Sequence, residues 1–307
     1  MTHTAARVVV VGSINVDQVV RVDRHPRPGE TLIGGSLQVL PGGKGANQAV
    51  AAALRGARVS MIGAVGDDAH AATALATLTS SGVDVSLVRV VPGPTGLALI
   101  TVGADGENTI IVVPGANDAV TADVAEQHAS LLETAAVVVL QGEIPVSTIT
   151  AVMLRTSGRV VLNLAPVVAV GAEALRLADP LVVNEHEAGL LLQQVAAGQD
   201  VPGDDAGVAD ALRAWGIASV VVTCGPLGAV IADSTGTHSV AAPTVESIDS
   251  SGAGDAFVGA LSAELAAGAT LVDGVRVAVR VGAFAVRGHG TQPSYPTLDD
   301  VLPEVAA

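Results

Sequence analysis

The chain has 307 residues; half are hydrophobic, 15% are charged and 1% are aromatic, so a large core is possible but must be built from Ala, Val, Leu and Ile. A formal net charge of −15 argues against a nucleic-acid surface and requires any anion-handling site to concentrate positive charge locally. Cys224 is the single cysteine, which excludes an internal disulfide and fits a reducing, cytoplasmic compartment.

Met1-Thr2-His3 leads into a Val-rich strand, Arg7 to Val11, without the apolar region of a signal peptide. Gly12-Ser13-Ile14-Asn15-Val16-Asp17 follows and sets Asn15 and Asp17 at a strand's carboxyl end. A carboxylate beside an amide can grip a vicinal diol, although the same residues suit an Asx turn. Gln18–Val22 and Thr31–Val39 read as extended segments joined by a Pro-rich turn at Pro26 and Pro28-Gly29.

Pro41-Gly42-Gly43-Lys44-Gly45-Ala46-Asn47 then opens a helix expected over Ala46–Arg55. The chain carries fourteen arginines and one lysine, and that lysine lies among these glycines. A compact ammonium differs from a forked guanidinium, so a site that needs a point charge can require Lys. The motif is not a Walker A loop, because Gln38 and Gly45 occupy the positions that would need Gly and Ser/Thr.

A strand over Val59–Gly63 and a helix over Ala69–Ser80 come next, with Gly66-Asp67-Asp68 between them read as a helix cap rather than a ligand loop. Thr95–Gly103 and Asn108–Val113 flank Asp105-Gly106, a hairpin signal. Together with the two earlier extended segments, they predict a small separate sheet, such as a lid. Strands over Val137–Leu140, Val160–Asn163, Leu181–Val183 and Ser219–Thr223 alternate with helices over Pro145–Thr156, Glu185–Gln194 and Asp204–Ala214. Such continuous apolar strands imply burial on both faces, hence a mostly parallel sheet between helix layers with ligands at the strands' carboxyl ends. The uncharged run Ala214 to Ala232 is cut by Gly225-Pro226 and Gly228, so it reads as strand, turn, strand rather than as a membrane span.

Asp249-Ser250-Ser251-Gly252-Ala253-Gly254-Asp255 precedes an apolar helical run, Ala256 to Leu265, and the stretch Gly254 to Arg287 reads as two or more helices. The glycines mark a helix mouth, where unpaired N–H groups and a partial positive charge can hold an anion. A carboxylate beside such a cradle suits phosphoryl transfer: the amides stabilise the migrating group while the acid takes a proton from the attacking hydroxyl. His186-Glu187 begins like a zinc-protease helix, but Leu190 stands where the second histidine would be.

These motifs, in this order, resemble the ribokinase family of carbohydrate kinases (PfkB type), and the resemblance covers essentially the whole chain. Gly12 to Asp17, Gly42 to Gln48 and Gly252 to Asp255 carry it. So do Asn184-Glu185-His186-Glu187, Thr223-Cys224-Gly225 with Gly228, Gly290-Thr291-Gln292-Pro293-Ser294, Thr95-Gly96 and Gly115-Ala116-Asn117. The resemblance implies one α/β domain over 1–307, a three-layer sandwich with lid segments at about 15–40 and 95–113 that often double as a homodimer interface. It implies ATP-dependent phosphorylation of D-ribose or a related small sugar, with Mg²⁺ and a monovalent cation such as K⁺. Another pentose, a ketose or a nucleoside (deoxyribose, adenosine) and a non-catalytic sensor are the alternatives.

By the same resemblance Asp255 is the base for the sugar's O5 hydroxyl, and Ser251, Gly252, Ala253 and Gly254 supply the anion hole. Asn15, Asp17, Gly43, Lys44, Asn47 and Glu143 line the sugar pocket. Asn184, Glu187, Thr223, Gly225 and Gly228 surround the ATP phosphates and Mg²⁺. Asp249, backbone groups of Ser251, Ala285, Gly288 and Gly290, and the Ser294 side chain form the monovalent-cation site.

Overall fold

The strands are β1 (Arg7–Val11), β2 (Asn15–Arg21), β3 (Leu37–Gly42), β4 (Arg58–Gly66), β5 (Asp84–Val91), β6 (Gly96–Val102), β7 (Asn108–Val113), β8 (Val137–Gln141), β9 (Arg159–Asn163), β10 (Leu181–Asn184), β11 (Val220–Thr223), β12 (Ala229–Asp233) and β13 (Gly236–Val240). They belong to a computed structural model that describes residues 7–105, 107–196 and 201–305. Gly106 of the expected hairpin turn and Met1-Thr2-His3 lie outside the described residues.

Nine strands form one sheet in the order β13-β12-β11-β10-β9-β8-β1-β4-β5. It is parallel from β11 to β5, and β12 and β13 add antiparallel. Alternation along each strand feeds two separate cores. Val8 and Val10 of β1 pack with the helices Lys44–Leu54, Ala253–Ala266 and Leu271–Ala285. Val9 and Val11 point the other way, against residues of Val146–Arg155, Glu185–Val195 and Asp205–Trp215. Full burial of each such Val side chain contributes roughly 1.5–3 kcal/mol, which is how an almost ring-free core holds together.

The four remaining strands make a second sheet ordered β3-β2-β6-β7. It comprises the extended segments that broke the α/β rhythm. Two expectations need adjusting. Residues 31–36 are irregular, so the strand expected over Thr31–Val39 begins only at Leu37. The helix after the glycine turn starts at Ala253 rather than Ala256, which puts Asp255 inside its first turn.

One packing contact sets the site. The helices Lys44–Leu54 and Ala253–Ala266 cross so closely at Gly259 that a Cβ there would stand 2.5 Å from Ala51 Cβ. Their N-terminal ends therefore meet, bringing Lys44, Asn47 and Gln48 to Asp255.

Candidate active site

The glycine turn is held in a shape only glycine takes easily. Gly252 sits at φ 73°, in the left-handed region, and a Cβ there would meet Thr291 Cγ2 at 2.1 Å and Tyr295 Oη at 2.7 Å. Tyr295 Oη donates to Gly252 O at 3.0 Å, tying the turn to the C-terminal loop. Beyond it, the amides of Gly252, Gly254 and Asp255 have no hydrogen-bond partner among the described residues, whereas Ala253 N reaches Ser250 O at 3.3 Å. Ser251 N is also engaged, donating to Asp249 Oδ1 at 2.9 Å. Among the described residues the free donors of the turn are thus those of Gly252, Gly254 and Asp255: of the expected set the Ser251 and Ala253 amides are engaged, and that of Asp255 is added. A Cβ on Gly254 would meet nothing within 4 Å, so that side of the turn is open.

Asp255 is buried, and both of its oxygens accept side-chain amides. Asn47 Nδ2 donates to Oδ2 and Gln48 Nε2 to Oδ1, each at 2.9 Å. Behind these stands a second rank. Gln292 Nε2 donates to Asn47 Oδ1 at 2.8 Å, Gln141 Nε2 donates to Gln48 Oε1 at 2.7 Å, and Gln48 Nε2 also donates to Asn163 Oδ1 at 2.9 Å. All of these amide side chains are buried. Lys44 lines the same cleft, and Asp255 first, then Glu143, Glu187 and Asp17, raise its ammonium above its usual value against the opposing effect of burial.

Of the other expected sugar-side residues, Asn15 and Asp17 come from the small sheet and Glu143 from the segment after β8 of the large one. Asn15 Oδ1 accepts from Asn117 Nδ2 at 2.7 Å, while Asn117 Oδ1 accepts from Ile14 N at 2.9 Å. Gly96 leaves the room for this pair, since a Cβ there would stand 2.2 Å from Asn15 Oδ1. Asp17 lies over Gly42, and its carboxyl is pushed up to about 7 by burial and then by Glu143 and Asp255, with Lys44 opposing. Glu143 Oε2 accepts from Ser13 Oγ at 2.6 Å and from Lys44 N at 3.1 Å. Gly43, at φ 89°, lets that backbone pass 2.7 Å (Cβ-equivalent) from Asn15 N.

Lys44, Asn163, Asn184, Glu187, Thr223, Gly252, Gly254 and Asp255 line a cleft of about 140 Å³ at the carboxyl ends of β9, β10 and β11. Asn184 and Glu187 form a capping box: Asn184 Oδ1 accepts from Glu187 N at 2.8 Å and Glu187 Oε2 from Asn184 N at 2.9 Å. At the cleft Asn184 is exposed and Glu187 half-buried. Gly225 leaves open space, but Gly228 closes the β11–β12 turn, where a Cβ would meet Val240 O at 2.0 Å; neither is among the residues lining the cleft. Cys224 is buried with its thiol pushed up to about 12, by burial first and then by Asp205, so it stays protonated and unreactive.

Asp249 is fixed by two amides, Ser251 N at Oδ1 and Gly290 N at Oδ2, the latter at 3.0 Å. Burial pushes its carboxyl up, but these donors outweigh it and hold the group below its usual value. Ile248 N and Asp249 N both donate to Val286 O, and Gly288 N donates to Ala285 O, so the expected cation-site segments come together. A Cβ on Gly288 would stand 3.0 Å from Ser294 Cβ, and Ser294 Oγ donates to Thr291 O at 2.8 Å.

Gln48, Gln141, Asn163, Asn117 and Tyr295 were not singled out from the sequence as site residues. A signal for some of them was present. Gln141, Asn163, Asn184 and Thr223 each end one of four successive parallel strands, and a polar residue closing an apolar strand points to the ligand end of such a sheet.

A profile of the pfkB family carbohydrate kinases matches residues 5–298. The chain is 36% identical over 299 residues to the ribokinase of Bacillus subtilis, covering 96% of this chain and 97% of that one. It is 33% identical over 299 residues to the deoxyribokinase of Salmonella typhi, covering 95% and 96%. Its fold matches the solved structure of Arabidopsis thaliana ribokinase complexed with ribose and ATP at a TM-score of 0.86 and 30% identity, over 96% of both chains. The chain belongs to the pfkB family of carbohydrate kinases. It is a phosphotransferase with an alcohol group as acceptor, and its resemblance to ribokinases runs along its full length.

Proposed function

We propose that the chain catalyses D-ribose plus ATP to D-ribose 5-phosphate plus ADP, with Asp255 as the base. The observation that carries this reading is a buried carboxylate in the first turn of a helix, beside three unpartnered backbone amides that face a cleft. The O5–H bond of the sugar breaks and its proton goes to Asp255. O5 bonds to the terminal phosphorus as the bond to the bridging oxygen of ATP breaks. The amides of Gly252, Gly254 and Asp255 take up charge on the transferred group. Asn15 and Asp17 hold the sugar hydroxyls, with Lys44, Asn47, Glu143 and the Gly43 backbone completing the pocket. The small sheet closes over it and excludes water, limiting ATP hydrolysis.

Asn184 and Glu187 offer hard oxygen donors at the cleft mouth and fit Mg²⁺ bound largely through water; Thr223 and the Gly225 turn lie beside them for the phosphates. Mg²⁺ would neutralise phosphate charge when bound. Asp249, with main-chain oxygens of Ser251, Ala285, Gly288 and Gly290 and the Ser294 hydroxyl, supplies an oxygen-only set that fits K⁺ and would order the glycine turn rather than touch substrate. The small sheet also supports a homodimer. Every residue of β7 is exposed, and Ile111 at 59% shares one face of the sheet with Leu99, Val39 and Leu37, all exposed. We assign the protein to the cytoplasm on its single cysteine, and among the described residues no helix is long and apolar enough to cross a membrane.

Aromatic placement favours a bare sugar over a nucleoside. Trp215 is half-buried and stacks with Arg176, Phe257 is in the core, and among the described residues no ring lines the cleft. A coupled ADP-release assay over ribose, 2-deoxyribose, ketoses and nucleosides, with and without K⁺, tests the reading. Ribose is expected to give the highest kcat/KM, and a nucleoside or ketose preference would overturn it. In the same assay Asp255→Asn is expected to lower kcat by about 10²–10⁴-fold with little change in sugar affinity.

A further inference from the structure

We propose that Gln48 is a positioning residue for proton transfer to Asp255, held in that role by Gln141 and Asn163; this rests on Asp255 being the base. Gln48 has one orientation that satisfies its surroundings. Its Oε1 accepts from Gln141 Nε2 at 2.7 Å, and its two Nε2 hydrogens go to Asp255 Oδ1 and Asn163 Oδ1, each at 2.9 Å. Asn163 is anchored in turn, donating from Nδ2 to Val182 O at 3.1 Å. Turned over, the Gln48 amide would set its oxygen against two acceptors and its nitrogen against a donor. The group is therefore locked as a donor to one carboxylate oxygen, while Asn47 fixes the other.

This pins both the position and the rotation of the carboxylate plane, so a lone pair stays aimed where the sugar hydroxyl must arrive. The tie also runs across the molecule. Gln48 comes from the Lys44–Leu54 helix, Gln141 and Asn163 from the carboxyl ends of paired strands β8 and β9, and Asp255 from the Ala253–Ala266 helix. Asn163 lines the cleft on one side of Gln48 and Asp255 on the other. A shift of the strand ends would reach the base through this amide.

Kinetics over pH with ribose and ATP separate this role from mere packing. Lys44, Asp17 and Tyr295 are the other titratable groups coupled to Asp255, and all stay unaltered in the variants. Gln48→Met keeps the length and removes the donors; kcat is expected to fall about 10–100-fold, with KM for ribose and ATP within about threefold of native. Gln48→Glu sets a carboxyl against Asp255, and the acidic limb of the kcat profile is expected to move up by about one pH unit or more, because like charges in contact resist joint ionisation. Asp255→Asn is run alongside. If Asp255→Asn turns over near normally, the base assignment fails and the role of Gln48 falls with it. If Asp255→Asn is inactive but Gln48→Met stays within about twofold of native kcat and the Gln48→Glu limb does not move, the Gln48 proposal alone is wrong. A Gln48→Met variant that loses kcat, KM and melting temperature together, with no limb shift in Gln48→Glu, also overturns it, since that pattern is structural.

Discussion

Gly252→Ala tests the glycine turn most directly, because two independent costs meet at one atom. An L-residue at φ 73° loses roughly 1–2 kcal/mol against glycine. The added Cβ would also lie 2.1 Å from Thr291 Cγ2 and 2.7 Å from Tyr295 Oη, a clash that adds about 1–3 kcal/mol if the loop must move. Relaxation can go only toward the cleft or toward the 291–295 loop, and either shifts the amides of Gly252, Gly254 and Asp255. Misplacing one such donor costs about 10²–10³ in kcat, so a loss on that scale is expected in the ADP-release assay. Each kcal/mol lost should also lower the melting temperature by about 2–4 °C, as in domains somewhat smaller than this one. Adding Thr291→Ser removes Cγ2 and keeps the main-chain oxygen that Ser294 uses, so the double variant should regain the Thr291 share of the steric cost but neither the Tyr295 share nor the backbone part. Turnover of Gly252→Ala within about twofold of native would refute the reasoning, since it would mean that neither the left-handed turn nor its amides matter to the reaction.

Three other outcomes follow from the same geometry. Asp255→Asn turns one oxygen into a donor facing the Asn47 or Gln48 amide, so besides its kinetic loss it should destabilise the fold by about 1–3 kcal/mol, read by denaturant titration. Lys44→Arg should lower kcat/KM for ribose by about 10–100-fold, because a planar fork cannot replace a point charge ringed by Asp255, Glu143, Glu187 and Asp17; free exchange would make Lys44 an ordinary surface charge. Asp17 sets a pH dependence of defined sign. Its carboxyl gives up its proton near 3.8 when unfolded and near 7 when folded, so the folded state holds the extra proton between those values and this contribution to stability falls as pH rises through the window, levelling above about 7. The ribose KM should correspondingly rise below about pH 7 as the carboxylate acceptor is lost, and Asp17→Asn should flatten both profiles.

The central strands were legible because they are buried on both faces and read as unbroken Val and Leu runs. β5 and β13 were not, and they are the two edges of the nine-stranded sheet. β5 reads Asp-Val-Ser-Leu-Val-Arg-Val-Val with partial exposure throughout, and β13 reads Gly-Thr-His-Ser-Val. An edge strand needs only one covered side, so the apolar signal thins where the pairing partner is missing. The site divides in a similar way. Lys44 and Asp255 stand beside glycines, and Asn15 and Asp17 follow Gly12 at the end of the first strand, so the sequence marks all four. Gln48 ends the glycine-rich motif, and Gln141 and Asn163 close apolar strands, but only the fold shows that the three share one network. Ser251 shows the converse. Its place in the motif suggested a free amide, and the fold gives that amide to Asp249.

On the proposed reading, the electrostatics of the cleft explain why backbone, rather than side chains, would receive the phosphates. Among the described residues Lys44 is the one cationic side chain lining the cleft, and Asp255, Glu143, Glu187 and Asp17 all act on it. With every group ionised the site would be net negative, in a chain already at −15. Lys44 is therefore taken up by carboxylates and has little field to spare for ATP. The helix mouth does not have this weakness: its partial positive charge is fixed in the peptide groups and cannot be titrated away, and the N–H groups of three cleft-lining residues have no partner among the described residues. A bound divalent cation would supply the rest of the countercharge. The raised carboxyl of Asp17 belongs to the same balance, since burial beside Glu143 and Asp255 makes one retained proton the easiest relief at neutrality. A sugar hydroxyl that donates to Asp17 offers another relief, favouring the carboxylate by hydrogen bonding. If the sugar binds at Asp17 as proposed, its binding and proton release there are coupled through the same crowding of acids that would leave phosphate recognition to the main chain.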